Sequence, residues 1–359
     1  MENTINTALR LKLNSHINSI KELNWFNGVI LVAHEGEILL CESMGLAEIK
    51  DTRWLTTSSI FDLASVSKPI TALGIIRLYQ LGKLDWSDMV SKWLPELPYP
   101  SINIRHLLTH TSGLPDYMEL IANVWNPEHI ATNKDVLDAL EQYKPDPYFA
   151  PNEKWMYSNT GYVILAILIE RISGQPFGEF LKDQIFQPLG MKHTKVYNRR
   201  VNLKEIPNDY AWGYVYDTDS NSFVLPDELP DLNFVKFLDG IQGDGMVHST
   251  VYDLLRLDQS LYDDSFIEAE LRHEMFKPTK LNNGEIEDYG FGWLLEKNDQ
   301  LGNIVCHGGG WPGYTTTYNR YLDNKFTLIM LQNVQIDFEY TNRLQTEIEE
   351  IIVEVLSNN

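Results

Sequence analysis

The chain runs to 359 residues, 43% apolar and 11% aromatic, and carries 50 acidic against 29 basic side chains for a formal charge of −21. These proportions are those of a globular protein, away from the weakly hydrophobic, highly charged compositions that stay disordered, and the length supports one large domain or two halves. A surface this acidic repels phosphate backbones and anionic lipid headgroups, which makes nucleic acid a poor partner. From Met1 to Ile20 the residues Asn, Thr, Ser, Arg and Lys interrupt any apolar run of the kind a secretory signal needs. No later stretch reaches the roughly 18 apolar residues that span a bilayer. Cytoplasmic residence is the default expectation for a chain without a leader. Cys41 and Cys306 are the only cysteines, too few for a disulfide framework, and two buried, reduced thiols are expected.

In chain order, Ile5, Leu9, Leu13, Ile17 and Ile20 recur at helical spacing and predict an amphipathic N-terminal helix. Gly28 to His34, a turn at Glu35-Gly36-Glu37, and Ile38 to Cys41 predict two buried strands in a hairpin. Helical periodicity between Gly and Pro punctuation covers Pro69 to Gly82, Ile104 to Thr109, Asn133 to Tyr143, Thr160 to Ser173 and Phe177 to Gln184. The stretch from Val201 to Asp239, with several Pro, Asp and Asn residues, reads as irregular loop. Tyr314 to Tyr321 and Phe326 to Leu331 form a second strand pair around Asp323-Asn324, and Ile348, Ile351, Ile352 and Val355 stripe a C-terminal helix. Strands at both ends and helices between them predict an α+β fold. Residues 1–68 and 240–359 would build a sheet flanked by the terminal helices, residues 69–239 a mostly helical half, and the active site would lie in the cleft between them.

Ser65-Val66-Ser67-Lys68 places a serine and a lysine one helical turn apart on the same face. With 19 serines and 18 lysines in the chain, about one such Ser-x-x-Lys pair arises by chance, so the motif alone carries little weight. Its position at the head of an apolar helix gives it more, because unpaired N–H groups and a positive partial charge gather there. Pro69 disfavours helical geometry at Lys68, so the helix is expected to start no earlier than Ser65. A lysine of ordinary pKa, about 10.4, is no base at pH 7; bringing it to roughly 7–8 costs about 4 kcal/mol of selective destabilisation of the ammonium. Further polar groups from elsewhere in the chain are therefore required.

Tyr157-Ser158-Asn159 and His307-Gly308-Gly309-Gly310 supply them. At this point the sequence resembles the serine β-lactamase and penicillin-binding-protein superfamily, in the branch of class C β-lactamases, D-alanyl-D-alanine peptidases and family VIII esterases. The three motifs Ser-x-x-Lys, Tyr-x-Asn and Lys/His-x-Gly occur in the family order, and Ile104 to Pro115 and His307 to Tyr314 look like the same branch. Tyr340-Thr341-Asn342 also fits the second pattern but is out of order. The resemblance covers roughly Phe26 to Leu331 and implies a β-lactamase/transpeptidase-like fold with an antiparallel sheet. It implies Ser65 as the acylated nucleophile, Lys68 as general base or proton relay, and Tyr157 as the group exchanging protons with Ser65 and later activating water. Asn159 would fix Lys68 and bind a substrate carbonyl, and the backbone N–H groups of Ser65 and Gly310, on the strand of Gly309, would form an oxyanion hole. Trp311 is the best candidate for a wall of the acyl site. No metal or organic cofactor is called for. The partner is a small-molecule or peptide acyl substrate.

Departures from the family pattern bear on specificity. His307 stands where many relatives carry Lys, and an imidazole of pKa near 6.5 is only about a quarter protonated at pH 7. A weaker grip on a substrate carboxylate favours an esterase or broad acyl hydrolase over a dedicated β-lactamase or carboxypeptidase. Asn152 follows Pro151 where glycine is common and can take the same left-handed turn. Gly243-Asp244-Gly245-Met246 inserts an acid, of unassigned role, into a glycine loop. His106 and His110 have the i, i+4 spacing of zinc helices but lack the accompanying Glu. Trp155, Tyr289 and Trp293 are read equally well as core. No Gly-x-Ser-x-Gly elbow is present, which argues against an α/β-hydrolase. The rival to a serine hydrolase is a catalytically silent binding or scaffold protein of the same fold.

Overall fold

The structure, a computed structural model, describes residues 2–23, 26–201, 206–335 and 338–358. Its centre is a six-stranded antiparallel sheet built from both ends of the chain. Strands β1 (Gly28–His34) and β2 (Glu37–Met44) form the expected hairpin, and Glu35 and Gly36 both take positive φ at its two-residue turn. The remaining strands are β3 (Leu294–Asn298), β4 (Gly302–Trp311), β5 (Tyr314–Tyr321) and β6 (Phe326–Gln332). The order is β3-β4-β5-β6-β1-β2, with β6 against β1 in the register Gly28↔Gln332 through His34↔Phe326. That pairing joins the N- and C-terminal segments.

Period-two alternation divides the sheet residues between two cores. Val29, Leu31, Ile329 and Leu331 join the large apolar cluster beneath the central helices. Ile30, Val32, Leu328 and Met330 point the other way, onto the terminal helices. Those helices, α1 (Glu2–Leu23) and one at Phe338–Ser357, bury the stripes read from sequence: Leu9, Leu13, Ile17, Ile20, Ile348, Ile352 and Val355. Each such side chain taken from water contributes about 1.5–3 kcal/mol. The near-continuous apolar runs Val29–Ala33 of β1 and Leu328–Leu331 of β6 are thus the mark of strands covered on both sides.

Helix α2 (Ser67–Gln80) packs against α3 (Asn159–Ser173), whose residues Thr160 to Ile169 are all buried. Helix α3 is capped by Ser158 Oγ, which accepts from Gly161 N at 3.1 Å, and ends at Gly174 with φ 74°. Several expected bounds shift. The helix predicted from Pro69 starts at Ser67, and that from Phe177 becomes a short α-helix over Phe177–Leu181 followed by a π turn over Lys182–Phe186. The 201–239 stretch holds two short strands, Val215–Asp217 and Ser222–Val224, and a helical turn at Phe234–Phe237, with residues 202–205 outside the described set. Strand β3 was not expected at all: its Glu, Lys and Asn and the turn after it have poor strand propensity, and pairing with β4 overrides that.

Strand β5 is tied to the helix Val251–Ser260 by Arg320 and Asp258, both wholly buried, with Nε to Oδ1 at 2.5 Å. Thr327 Oγ1 donates to the same carboxylate at 2.7 Å. Cys41 and Cys306 are free thiols, and burial pushes the Cys306 thiol far above its ordinary range. Among the described residues no helix is long and apolar enough to cross a membrane. The out-of-order Tyr340-Thr341-Asn342 lies in the C-terminal helix, where Thr341 Oγ1 accepts from Gln332 Nε2.

Candidate active site

Ser65 sits in a single 3-10 turn, Ala64–Val66, immediately before α2. Ala64 takes φ 47°, a left-handed conformation that costs a residue with a Cβ about 1–2 kcal/mol. Its N–H donates to Asp62 Oδ1 at 2.8 Å. Three further bonds pin the turn: Thr316 Oγ1 to the Leu63 carbonyl at 2.8 Å, Val247 N to Ser67 Oγ at 3.1 Å, and Thr71 Oγ1 to the Gly243 carbonyl at 2.6 Å. The nucleophile candidate is therefore presented on strained backbone fixed from β5 and from the 243–247 loop.

Lys68 falls in the first turn of α2, where Pro69 is tolerated because its missing N–H would have no intrahelical partner. The lysine is completely buried, and Nζ donates to Ser65 Oγ at 3.0 Å and to the Asp244 carbonyl at 2.8 Å. The Tyr157 ring lies 4.7 Å from Nζ and packs against His110 with centroids 4.4 Å apart and the rings tilted by 42°. Tyr157 is 38% exposed, and no described residue takes its hydroxyl in a hydrogen bond. Asn159 reaches Met118 Sδ at 3.9 Å rather than Lys68. The contact expected from Asn159 is made instead by the backbone of Asp244, whose carboxylate accepts from Tyr117 Oη at 2.9 Å. Burial pushes the Asp244 carboxyl up, and the Lys68 charge opposes it.

The third motif lies on β4. Strand β3 pairs with β4 only as far as Leu294↔Cys306, so His307 to Trp311 keep one edge free toward Ser65. A Cβ at Gly309 would stand 2.2 Å from Thr316 Oγ1, 2.5 Å from the Leu63 carbonyl and 3.1 Å from Ser65 N. Close passage of this strand over the nucleophile turn thus requires glycine. Gly309→Ala is expected to displace the turn and lower kcat/KM by about 10²-fold, the scale for an ångström of misplacement; a wild-type value on a p-nitrophenyl ester would show that the strand does not shape the site.

His307 is 3% exposed and does not hold the pKa near 6.5 expected from sequence. Burial, with the Lys68 charge next, drives it down to about 3, so the imidazole is neutral across the physiological range. Its nitrogens are both engaged, Nδ1 with the Gly308 carbonyl at 2.6 Å and Nε2 with Tyr289 Oη at 3.3 Å. The other histidines part company: the helix Ile104–Leu108 ends before His110, and His106 Nδ1 accepts from Asn103 N in a capping box. His110 turns inward at φ 59°. Trp155 and Trp293 belong to the aromatic packing around Tyr289 and Tyr318. Asn152 takes the left-handed turn at φ 61°.

Ser65 opens onto a cavity of about 470 Å³, including the solvent at its mouth, with Asn159, Gly310 and Trp311 on its walls. Asp62 and Asp244 also line it, and among the described lining residues there is no lysine or arginine, Lys68 lying behind Ser65. Trp311 packs edge-on against Phe234 at 5.5 Å. An adjoining recess contains Arg199 and Arg200, but their guanidiniums are bound to Asp227 and Asp239. Sequence reasoning missed Asp62, Tyr117 and Thr316, which carry no motif; Asp62 acts on Ala64 two residues on, whereas Tyr117 and Thr316 act through contacts distant in the chain.

A family model described as Beta-lactamase matches residues 17–350. The chain belongs to this family. Its members by similarity are serine hydrolases, and so is this chain. It is 50% identical over 343 residues to penicillin-binding protein 4* of Bacillus subtilis, covering 96% of this chain and 76% of that one. Esterase EstB of Burkholderia gladioli is 35% identical over 188 residues, 48% of each chain. Among solved structures, a penicillin-binding protein from Bacillus halodurans has TM-score 0.79 at 24% identity over 92% of this chain and 98% of that one. D-amino acid amidase from Ochrobactrum anthropi has TM-score 0.74 at 25% identity over 99% of both. This beta-lactamase-family chain thus has relatives named for ester and amide hydrolysis.

Proposed function

We propose that this protein hydrolyses esters or amides of neutral or cationic acyl compounds through an acyl-enzyme on Ser65. In this reading Ser65 Oγ attacks the substrate carbonyl while its proton passes to the Lys68 and Tyr157 pair. The Ser65 and Gly310 N–H groups hold the oxyanion, and the pair returns the proton to the departing alcohol or amine. Water, activated by the same pair, then cleaves the Ser65 ester and releases the acid. Asn159 and Trp311 orient the acyl group. The residues of 1–68 and 240–359 would act as one half and those of 69–239 as the other, with the substrate between them.

The observation that carries the specificity is the wall of the Ser65 cavity, whose described lining holds Asp62 and Asp244 and, apart from Lys68 behind Ser65, no cationic side chain. A carboxylate-bearing substrate would meet like charge there, whereas an ester or an amino acid amide with a free amine would not. The esterase and D-amino acid amidase among the similar proteins have names that fit this class. A panel of p-nitrophenyl esters, D-amino acid amides, D-alanyl-D-alanine peptides and nitrocefin tests it. The first two are expected to give kcat/KM at least tenfold above the carboxylate-bearing pair; the reverse order would overturn the proposal.

A further inference from the structure

His307 ends a directional chain of hydrogen bonds that begins on the opposite side of the site. Ser158 N, which can only donate, lies 3.1 Å from His110 Nδ1, so that nitrogen is bare. The neutral imidazole then carries its proton on Nε2, 3.0 Å from Tyr289 Oη. Tyr289 accepts that bond, and its own proton has two acceptors within reach, His307 Nε2 at 3.3 Å and the Tyr162 hydroxyl, whose proton goes to the Leu108 carbonyl. At the far end His307 Nδ1 faces the Gly308 carbonyl at 2.6 Å, an acceptor that requires a proton on Nδ1. The Gly308 carbonyl, which can only accept, thus fixes the proton of His307 on Nδ1, and the Tyr289 hydroxyl complements the bare Nε2.

We propose that Tyr289, backed by His110, is a positioning residue that holds His307 as the neutral Nδ1–H tautomer, with neither ring nitrogen offered to the substrate. His307 would thereby brace the glycine strand of β4 beside Ser65, where a side chain of changing charge would disturb it. The groups facing His307 fit this arrangement. Lys68 lies on α2, Tyr157 on the segment before α3, Tyr318 opposite it on β5, and His110 and Tyr162 pack around Tyr289 behind it. Tyr318 Oη is committed to the Leu254 carbonyl at 3.2 Å. Burial keeps Tyr289 a phenol and, with Lys68, keeps both imidazoles below their ordinary pKa. Protonating His307 at Nε2 would set two donors against one another unless the Tyr289 proton turned to the Tyr162 hydroxyl, breaking the bond to His307.

This inference deepens the reading of the site as one without a carboxylate-gripping cation, and it can fail separately, because its first measurement uses no substrate. Histidine-¹⁵N-labelled protein, with His307 assigned by its loss in His307→Asn, should show the Nδ1–H tautomer from pH 5 to 8. An Nε2–H tautomer, or charging within that window, overturns the proposal whatever the substrate panel gives. In Tyr289→Phe the His307 Nε2 resonance should move as its donor is lost, and kcat on a neutral ester should fall about tenfold with KM within about twofold. Wild-type behaviour in both, or a change in only one, also overturns it, since the hydroxyl would then act elsewhere or not at all. If Tyr289→Phe does not fold, the wild-type tautomer decides alone.

Discussion

Ser65→Ala is expected to abolish covalent labelling and lower kcat/KM by about 10⁴-fold or more, the range for removing a nucleophile from a preorganised site. The turn that carries Ser65 should survive, because its anchors are Asp62, Thr316, Ser67 and Thr71 rather than the Ser65 hydroxyl. Intact-mass spectrometry after exposure to a fluorophosphonate reads the result directly. Wild type should gain one adduct and Ser65→Ala none. No adduct on wild type, or an equal adduct on the variant, would sink the acyl-enzyme and favour a silent binding protein of the same fold.

Lys68→Met should separate activity from stability. The lysine side chain is wholly buried, and methionine fills the space of its stem, so the apolar packing is retained. Exchanging a buried polar head group for an apolar one is commonly neutral or stabilising, offset here by the Asp244 carbonyl losing its donor at a cost of about 1–3 kcal/mol. The rate has no such compensation. Nζ is the described side-chain group that bonds Ser65 Oγ, at 3.0 Å, and loss of a general base lowers kcat by about 10²–10⁴-fold. Urea unfolding and ester turnover on the same sample check both halves; less than a tenfold loss of kcat would remove Lys68 from the proton path.

The terminal helices, the Gly28–Met44 hairpin and the Tyr314–Gln332 pair were legible because their apolar residues fall at helical spacing or in continuous runs bounded by turn residues. Ser65, Lys68, Tyr157, Asn159 and His307 stood out as candidates because the order of three motifs is far more specific than any one of them, although the contact expected between Asn159 and Lys68 is not made. Strand β3 was not, since its polar residues follow pairing with β4 and not their own propensity. Nor was the support of Lys68: the group that holds it is a backbone carbonyl 176 residues away, and a carbonyl leaves no signature in the choice of side chain. The 179-residue separation of His110 from Tyr289 hid their contact in the same way.

By itself the sequence determined the class of chemistry, the nucleophile candidate and a sheet assembled from both ends of the chain, because periodicity and motif order are properties of residues along a line. Only the tertiary structure decided the charge of the site. The net charge of −21 says nothing of a cleft, whereas folding places Asp62 and Asp244 on the Ser65 cavity and buries His307 beside Lys68. Desolvation and proximity set protonation, and both exist only once distant segments have been brought together.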